Sequence, residues 1–310
     1  MNIIVTGGAG FLGSHVMEEF KKCHNNTACI RSKDYDLVRF DNTMSLYKDL
    51  NPDIVVHLAA VVGGIGANRE NPGRFFYENM AMGLNLIEGA RIHKIKRFVF
   101  VSTVCAYPKF TPTPFKEESM WDGYPEETNA PYGIAKKSIM VMLQGYRDQY
   151  GLSGAVLVPT NLYGPRDHFD PSISHVIPAL IKKFVDAKNN GEDKVKVWGD
   201  GSATREFLYV TDAARAIVKA SLAINNPEPI NLGSGYEISI KDLAKTIGDL
   251  VGFSGEIVFE TNRPNGQPRR LLDTSRAARL LEWKAEMDFN SGLKATIDWY
   301  MQQATEISGQ

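Results

Sequence analysis

Cysteine is scarce in this 310-residue chain, with Cys23, Cys29 and Cys105 the whole supply. Three thiols cannot all pair, and they are too few to staple a secreted scaffold, so a cytoplasmic protein is expected. Long hydrophobic runs are missing too. No stretch reaches the ~18 consecutive apolar residues of a transmembrane helix, and Met1 leads into Ile3-Ile4-Val5-Thr6 with no basic leader or cleavage-site pattern. Neither sign of charge dominates: 35 Lys and Arg against 36 Asp and Glu leave −1. That balance argues against binding nucleic acid or a membrane surface through bulk positive charge. Repeats and low-complexity tracts are absent, and no His, Cys or carboxylate cluster has metal-ligand spacing, so no metal is expected. What is present, 43% hydrophobic and 10% aromatic residues, is an ordinary globular composition, long enough for two domains or one large one.

Short apolar runs at residues 3–6, 28–30, 54–58, 98–102 and 155–158 alternate with helix-spaced segments at 14–22, 71–93 and 132–150. Runs apolar on both faces, with helices between them, indicate a parallel sheet covered on two sides. The expected fold is α/β, a Rossmann-type doubly wound sheet whose ligands sit at the carboxyl ends of the strands. After Pro159 the texture changes: Pro165, Pro171 and Pro178 punctuate a loop-rich stretch, and Asn189-Asn190-Gly191 marks a turn. The reading is a cofactor-binding domain over 1–165, rejoined by segments near 205–233. A smaller mixed α/β substrate-binding domain occupies most of 166–310, including 238–251 and 263–272.

Gly7-Gly8-Ala9-Gly10-Phe11-Leu12-Gly13 follows the first strand and opens a helix. Glycines in that context let the backbone approach a pyrophosphate where free N–H groups and the helix dipole favour anions. The second strand ends at Ile30, and Arg31-Ser32-Lys33 follow. A basic residue there accommodates a 2′-phosphate where a carboxylate would take ribose hydroxyls, so NADPH is expected over NADH, with Asp34 and Asp36 keeping NAD open. Tyr132 and Lys136 stand four apart after Pro131, on one helix face. A neighbouring cation should lower the Tyr132 pKa toward the range useful for proton transfer. Thr103, at the end of the 98–102 strand, offers a hydroxyl to a substrate carbonyl.

Together the glycine turn, Thr103 and the Tyr132/Lys136 pair resemble the extended short-chain dehydrogenase/reductases that act on nucleotide sugars. Asn79, in Glu78-Asn79-Met80-Ala81-Met82, resembles that family's helix asparagine. Longer stretches narrow the resemblance to the GDP-L-fucose synthases within it, the GDP-4-keto-6-deoxymannose 3,5-epimerase/4-reductases. These are Leu58-Ala59-Ala60 through Asn68, Ser102-Thr103-Val104-Cys105-Ala106-Tyr107-Pro108 and Pro159-Thr160-Asn161-Leu162-Tyr163-Gly164-Pro165. They continue with Ser174-His175-Val176-Ile177-Pro178-Ala179-Leu180, Trp198-Gly199-Asp200-Gly201, Arg205-Glu206-Phe207-Leu208 and Pro268-Arg269-Arg270-Leu271-Leu272-Asp273.

The resemblance implies NADP(H) held by the residues from Gly7 to Gly13, Arg31, Lys33, Ala59, Ala60, Tyr132, Lys136, Pro159, Thr160, Asn161, Leu162 and His175. It implies a GDP-linked 4-keto-deoxysugar held by Asn161, Lys183, Trp198, Arg205 and Arg270, and a homodimer formed through helices of the first domain. Thr103 stands where the family usually has serine, and Lys183 where it often has arginine, keeping the charge but losing the bidentate fork. Thr103, Cys105, Tyr132, Lys136 and His175 would carry the chemistry. A 4-keto group acidifies the protons on C3 and C5, and inverting those centres takes a base on one face and an acid on the other. Cysteine and histidine, with reference pKa values of about 8.5 and 6.5, suit such an exchange.

Neighbouring activities fit less well. The 4,6-dehydratases of the superfamily typically carry an Asp-Glu pair where Val104 and Cys105 stand. A 4-epimerase would retain NAD and need neither Cys105 nor His175, and a non-catalytic NADP sensor would commonly lose Tyr132 or Lys136. Dideoxyhexose or heptose substrates, and inversion at one centre only, stay open. Cys23 and Cys29 receive no role.

Overall fold

The computed structural model describes residues 1–24, 26–170, 174–262 and 267–308, so Pro171 and part of the 263–272 segment lie outside the described residues. The chain begins with β1 (Ile3–Thr6), α1 (Phe11–Cys23), β2 (Thr27–Ile30), α2 (Phe40–Leu50), β3 (Ile54–His57), α3 (Ile65–Glu70) and α4 (Pro72–Ile92). It continues with β4 (Arg97–Val101), α5 (Ala130–Tyr150), β5 (Gly154–Pro159), β6 (Asn161–Tyr163), α6 (Val176–Asn190), β7 (Lys194–Trp198) and β8 (Thr204–Tyr209). The remainder is α7 (Val210–Ala223), β9 (Pro229–Leu232), β10 (Glu237–Ser239), α8 (Ile240–Val251), β11 (Glu256–Glu260), α9 (Ser275–Leu281) and α10 (Phe289–Ser308).

Six parallel strands in the order β2-β1-β3-β4-β5-β9 form the main sheet. Its side chains alternate strictly between two cores. Ile4, Val55, Phe98, Phe100, Val156 and Val158 face Leu46, Leu86 and Leu143 of α2, α4 and α5. Ile3, Val5, Val56, Val99, Val101 and Leu157 face Val16, Phe20, Ile217 and Leu281 of α1, α7 and α9. Burial of each such side chain contributes roughly 1.5–3 kcal/mol, which is why both faces need a helical cover. The α/β doubly wound architecture is therefore as the sequence indicates. The sequence pattern shows no helix at 40–50: α2 buries only Thr43, Leu46 and Tyr47, a stripe too narrow to stand out.

The second lobe contains the three-stranded sheet β10-β8-β6 and the parallel pair β7-β11. Leu180, Phe184, Leu243, Ile247 and Leu293 of α6, α8 and α10 form its separate core. The lobes are interleaved: β9 returns beside β5, and α9 caps the α1 face of the main sheet. Asn231 on β9 ties the return down, accepting from the Tyr107 hydroxyl at 2.7 Å and donating to the Phe115 carbonyl at 2.9 Å. Among the described residues, no helix is long and apolar enough to cross a membrane. Strand order reverses between β1 and β3, and that reversal opens a crevice at their carboxyl ends.

Candidate active site

The glycine turn sits in the crevice, and its shape explains its composition. A Cβ on Gly13 would lie 2.0 Å from the Gly7 carbonyl oxygen and 2.7 Å from Gly8 Cα, and one on Gly7, whose φ is +70°, would lie 2.8 Å from the Ala59 nitrogen. Side chains are thus excluded, and the turn packs backbone on backbone, Gly10 N–H donating to Gly7 O at 3.0 Å. Helix α1 starts at Phe11 with no side-chain cap at Gly10, so its first N–H groups point into the crevice as an anion cradle. Ala9 and Gly10 are exposed there, while Ala60 and Leu12 are half-buried beside them. The donor set fits a pyrophosphate. At the end of β2, Arg31 and Lys33 are exposed, and Arg31 Nε donates to Asp34 at 3.0 Å.

Beneath the cradle lies a pair that sequence reasoning missed. Thr6 Oγ1 is 2.8 Å from His57 Nδ1 and accepts from the Ala59 N–H at 3.3 Å, which fixes the loop after β3. The polar ends of two otherwise apolar strands were the available signal. Asn79 holds the next turn of that loop, donating to Val61 O at 2.8 Å and accepting from Val61 N at 3.1 Å.

Across the crevice, β4 ends in a single 3-10 turn over Val104–Ala106. Thr103 caps it, its hydroxyl accepting from the Cys105 N–H at 3.1 Å, so one side chain presents its own oxygen and fixes Cys105. The first turn of α5 packs directly on this segment. A Cβ on Gly133 would stand 2.4 Å from the Cys105 carbonyl oxygen, so only glycine lets Tyr132 and Cys105 come so close. Lys136 is buried, its Nζ donating to Val101 O at 3.1 Å and standing 4.8 Å from the Phe100 ring centre and 5.9 Å from that of Tyr132. The expected lowering of the Tyr132 pKa is overturned. Burial, reinforced by Cys105, pushes the phenol well above its ordinary value, and burial brings the Lys136 ammonium down to about 7. Desolvating a phenolate outweighs a cation that is itself inclined to be neutral.

The second lobe closes the far side. His175, the residue preceding α6, is exposed, yet groups crowding its ring desolvate it and, with Arg270 and His168, lower its pKa. Arg270 is 8% exposed and bridges the cleft, its Nη1 donating to Cys105 Sγ at 3.7 Å and its Nε to Gln267 at 2.9 Å. Arg205 on β8 is driven down to about 9, by burial first and by Arg270 second. Lys183 donates to Lys196 O at 2.8 Å with its Nζ 5.9 Å from the Trp198 ring centre, and Trp198 is 51% exposed. The structure thus gathers Thr103, Cys105, Tyr132, His175, Arg205 and Arg270, while Lys183 and Trp198 are brought together with each other.

A second residue missed from sequence, Glu206, fixes this geometry. Fully buried, it accepts from Gly235 N at 2.7 Å and Leu272 N at 3.0 Å, and burial raises its pKa to about 7. Its backbone carbonyl takes the Thr160 hydroxyl at 3.2 Å and the Asn161 amide at 2.9 Å, while Pro159 and Leu162 flank these two on β5 and β6. Its signal was the charged pair Arg205-Glu206 set directly before the apolar Phe207-Leu208-Tyr209 of the same strand. A cavity of about 270 Å³ lined by Tyr163, Phe207, Tyr236 and Phe289 contains none of the predicted groups. Chemistry rather than volume identifies the cleft.

Comparison with known proteins gives concordant results. Residues 3–233 match the NAD dependent epimerase/dehydratase family. The chain is 38% identical to GDP-L-fucose synthase 1 of Arabidopsis thaliana over 301 residues, 97% of this chain and 93% of that protein. It superposes with a TM-score of 0.91 on a GDP-6-OMe-4-keto-L-xylo-heptose reductase from C. jejuni, at 28% identity, covering 97% of this chain and 98% of that one. A GDP-L-fucose synthetase from Naegleria fowleri, bound to NADP, gives 0.89 at 30% identity, with 98% of this chain and 93% of that one covered.

Proposed function

The chain belongs to the NAD dependent epimerase/dehydratase family, and on that footing we propose that it catalyses the NADPH-dependent 3,5-epimerisation and 4-reduction of GDP-4-keto-6-deoxy-D-mannose to GDP-L-fucose. The convergence of Cys105, Tyr132 and His175 around Arg270 is the observation that carries this reading. Simple 4-epimerisation has no use for that thiol and imidazole.

The cradle from Gly7 to Gly13 would hold the cofactor's pyrophosphate, with Arg31 and Lys33 toward the adenosine phosphate and Ala59, Ala60, Pro159, Thr160, Asn161, Leu162, Tyr132 and Lys136 along its length. When bound, NADPH supplies hydride to C4. The protein's own groups do the rest. Arg205, Arg270, Lys183 and Trp198 would hold the GDP moiety, the cations meeting the diphosphate and the indole offering a face for stacking, while Asn161 contacts the sugar. Cys105 and His175 exchange protons at C3 and C5, and the Thr103 and Tyr132 hydroxyls steady the enolate oxygen. Tyr132, protonated in its buried setting, then delivers a proton to O4. Lys136, its ammonium brought down to about 7 by burial, stands behind the phenol with its Nζ 5.9 Å from the ring centre.

Incubation with GDP-4-keto-6-deoxymannose and either cofactor tests the reading. The product identified by NMR should be GDP-L-fucose, and kcat/KM should be at least about tenfold higher with NADPH than with NADH. A product reduced at C4 without inversion at C3 and C5 would replace the reading with a reductase. The likeness in shape to the heptose reductase favours that as the second reading, with a related GDP-4-keto-deoxysugar as substrate.

The three free cysteines suit a cytoplasmic protein. Tyr77 and Leu84, one stripe of α4, are 63% and 39% exposed beside Val141 of α5 at 53%. Such an apolar helical face suits a bundle with a second copy. Light scattering should therefore give about twice the 34.4 kDa chain mass, and L84E should halve it. A parent protein that runs as a monomer at micromolar concentration rules the dimer out.

A further inference from the structure

We propose that Glu126 is a positioning residue joining the substrate-anion site to the first turn of the catalytic helix, a role that rests on the function proposed above. Glu126 is 9% exposed. Its Oε2 accepts from the Thr128 hydroxyl at 2.5 Å and the Asn129 amide at 3.0 Å, and its backbone carbonyl takes the Asn129 N–H at 3.0 Å.

Asn129 immediately precedes α5. An asparagine at that position ordinarily turns its side-chain oxygen onto a first-turn N–H, yet Asn129 makes no such cap. Its amide is committed to Glu126 instead, while its carbonyl takes the Gly133 N–H at 2.8 Å. The entry angle of α5, and with it the placement of Tyr132 three residues on, therefore depends on the Glu126 carboxylate.

An uncharged glutamine could accept both side-chain hydrogen bonds. A buried charge costs several kcal/mol unless it is compensated. Arg205 on β8 lies within the field of Glu126, which together with Cys105 and Glu237 opposes the lowering of its pKa by burial and Arg270. Lys109 lies within reach of the same field. Glu126 therefore faces two tasks. Its hydrogen bonds hold the helix that carries the proton donor, and its charge partly offsets the guanidinium offered to the diphosphate. An offset of this kind weakens anion binding in exchange for an ordered, desolvated arginine before substrate arrives.

The two tasks separate by mutation. E126Q removes charge and keeps the acceptor, so GDP, titrated calorimetrically, should bind about threefold more tightly, and KM for the GDP-keto-sugar should fall by a similar factor. E126A also removes the acceptor, and its kcat should fall about tenfold below that of E126Q, with N129A reproducing the loss in kcat but not the tighter GDP binding. E126D should recover most of the parent kcat. Unchanged or weaker GDP binding in E126Q overturns the electrostatic role. Equal kcat in E126A and E126Q overturns the positioning role, whatever happens to Tm. An inactive parent enzyme would defeat the proposed function, while GDP titration of E126Q would still decide whether Glu126 opposes the anion site.

Discussion

Replacing Tyr132 by phenylalanine should lower kcat for keto-sugar reduction about a thousandfold while changing NADPH affinity by no more than about threefold. The ring fills the same space, and Tyr132 is only 7% exposed, so packing of α5 against the Cys105 segment survives. What disappears is the phenolic hydroxyl and its one transferable hydrogen. In the free protein the phenol is held protonated by burial and by Cys105. That state suits the reductive half-reaction, in which O4 gains negative charge and must be protonated. It also means that Tyr132 serves as a reservoir of one proton, not as a resting base. Single-turnover oxidation of NADPH, with cofactor binding followed by fluorescence, separates the two quantities. A kcat within tenfold of the parent would remove Tyr132 as proton donor and leave Thr103 or solvent in that role.

Cys105→Ser should abolish at least 99% of solvent-deuterium incorporation at C3 and C5 and leave cofactor binding intact. A serine hydroxyl occupies the same site and keeps the backbone N–H bond to Thr103, but it ionises far less readily than a thiol, whose reference pKa is about 8.5. Loss of a positioned base or acid typically lowers rate 10²–10⁴-fold. The Arg270 guanidinium, 3.7 Å from the sulfur, supplies a cation beside the position where the anion would form. Mass spectrometry of substrate recovered from deuterium oxide reads the exchange without requiring reduction. Exchange at the parent rate in the serine variant would exclude Cys105 from epimerisation.

Much of this site is visible in the amino-acid order because local rules govern it. The cradle from Gly7 to Gly13 follows from steric demands within seven residues, and the Tyr132/Lys136 pair from one helical turn. The alternation of buried runs with helical segments foretells the parallel sheet, including the return of 229–232. Other features depend on residues distant in sequence. Arg270 reaches Cys105 across 165 positions, so sequence reasoning gave the arginine to the phosphates and the thiol to the sugar. Glu206 and the Thr6–His57 pair also act through partners far along the chain. The Tyr132 pKa failed for a different reason. Spacing reveals a neighbouring charge but not the depth at which both groups lie, and here desolvation outweighs the charge.

The late return of β9 and α9 to the main sheet has a consequence for biosynthesis. A nascent chain that has emerged only to residue 165 carries β1 to β5 with an open strand edge on β5, where residues 156–159 later pair with 229–232. It also lacks the α7 and α9 cover over Val99, Val101 and Leu157. Exposed edges and apolar faces of this kind invite intermolecular pairing. The main sheet and its two covers are therefore complete only in a chain that extends past residue 281, and a gene divided at the lobe boundary would encode two fragments that each lack part of a shared core.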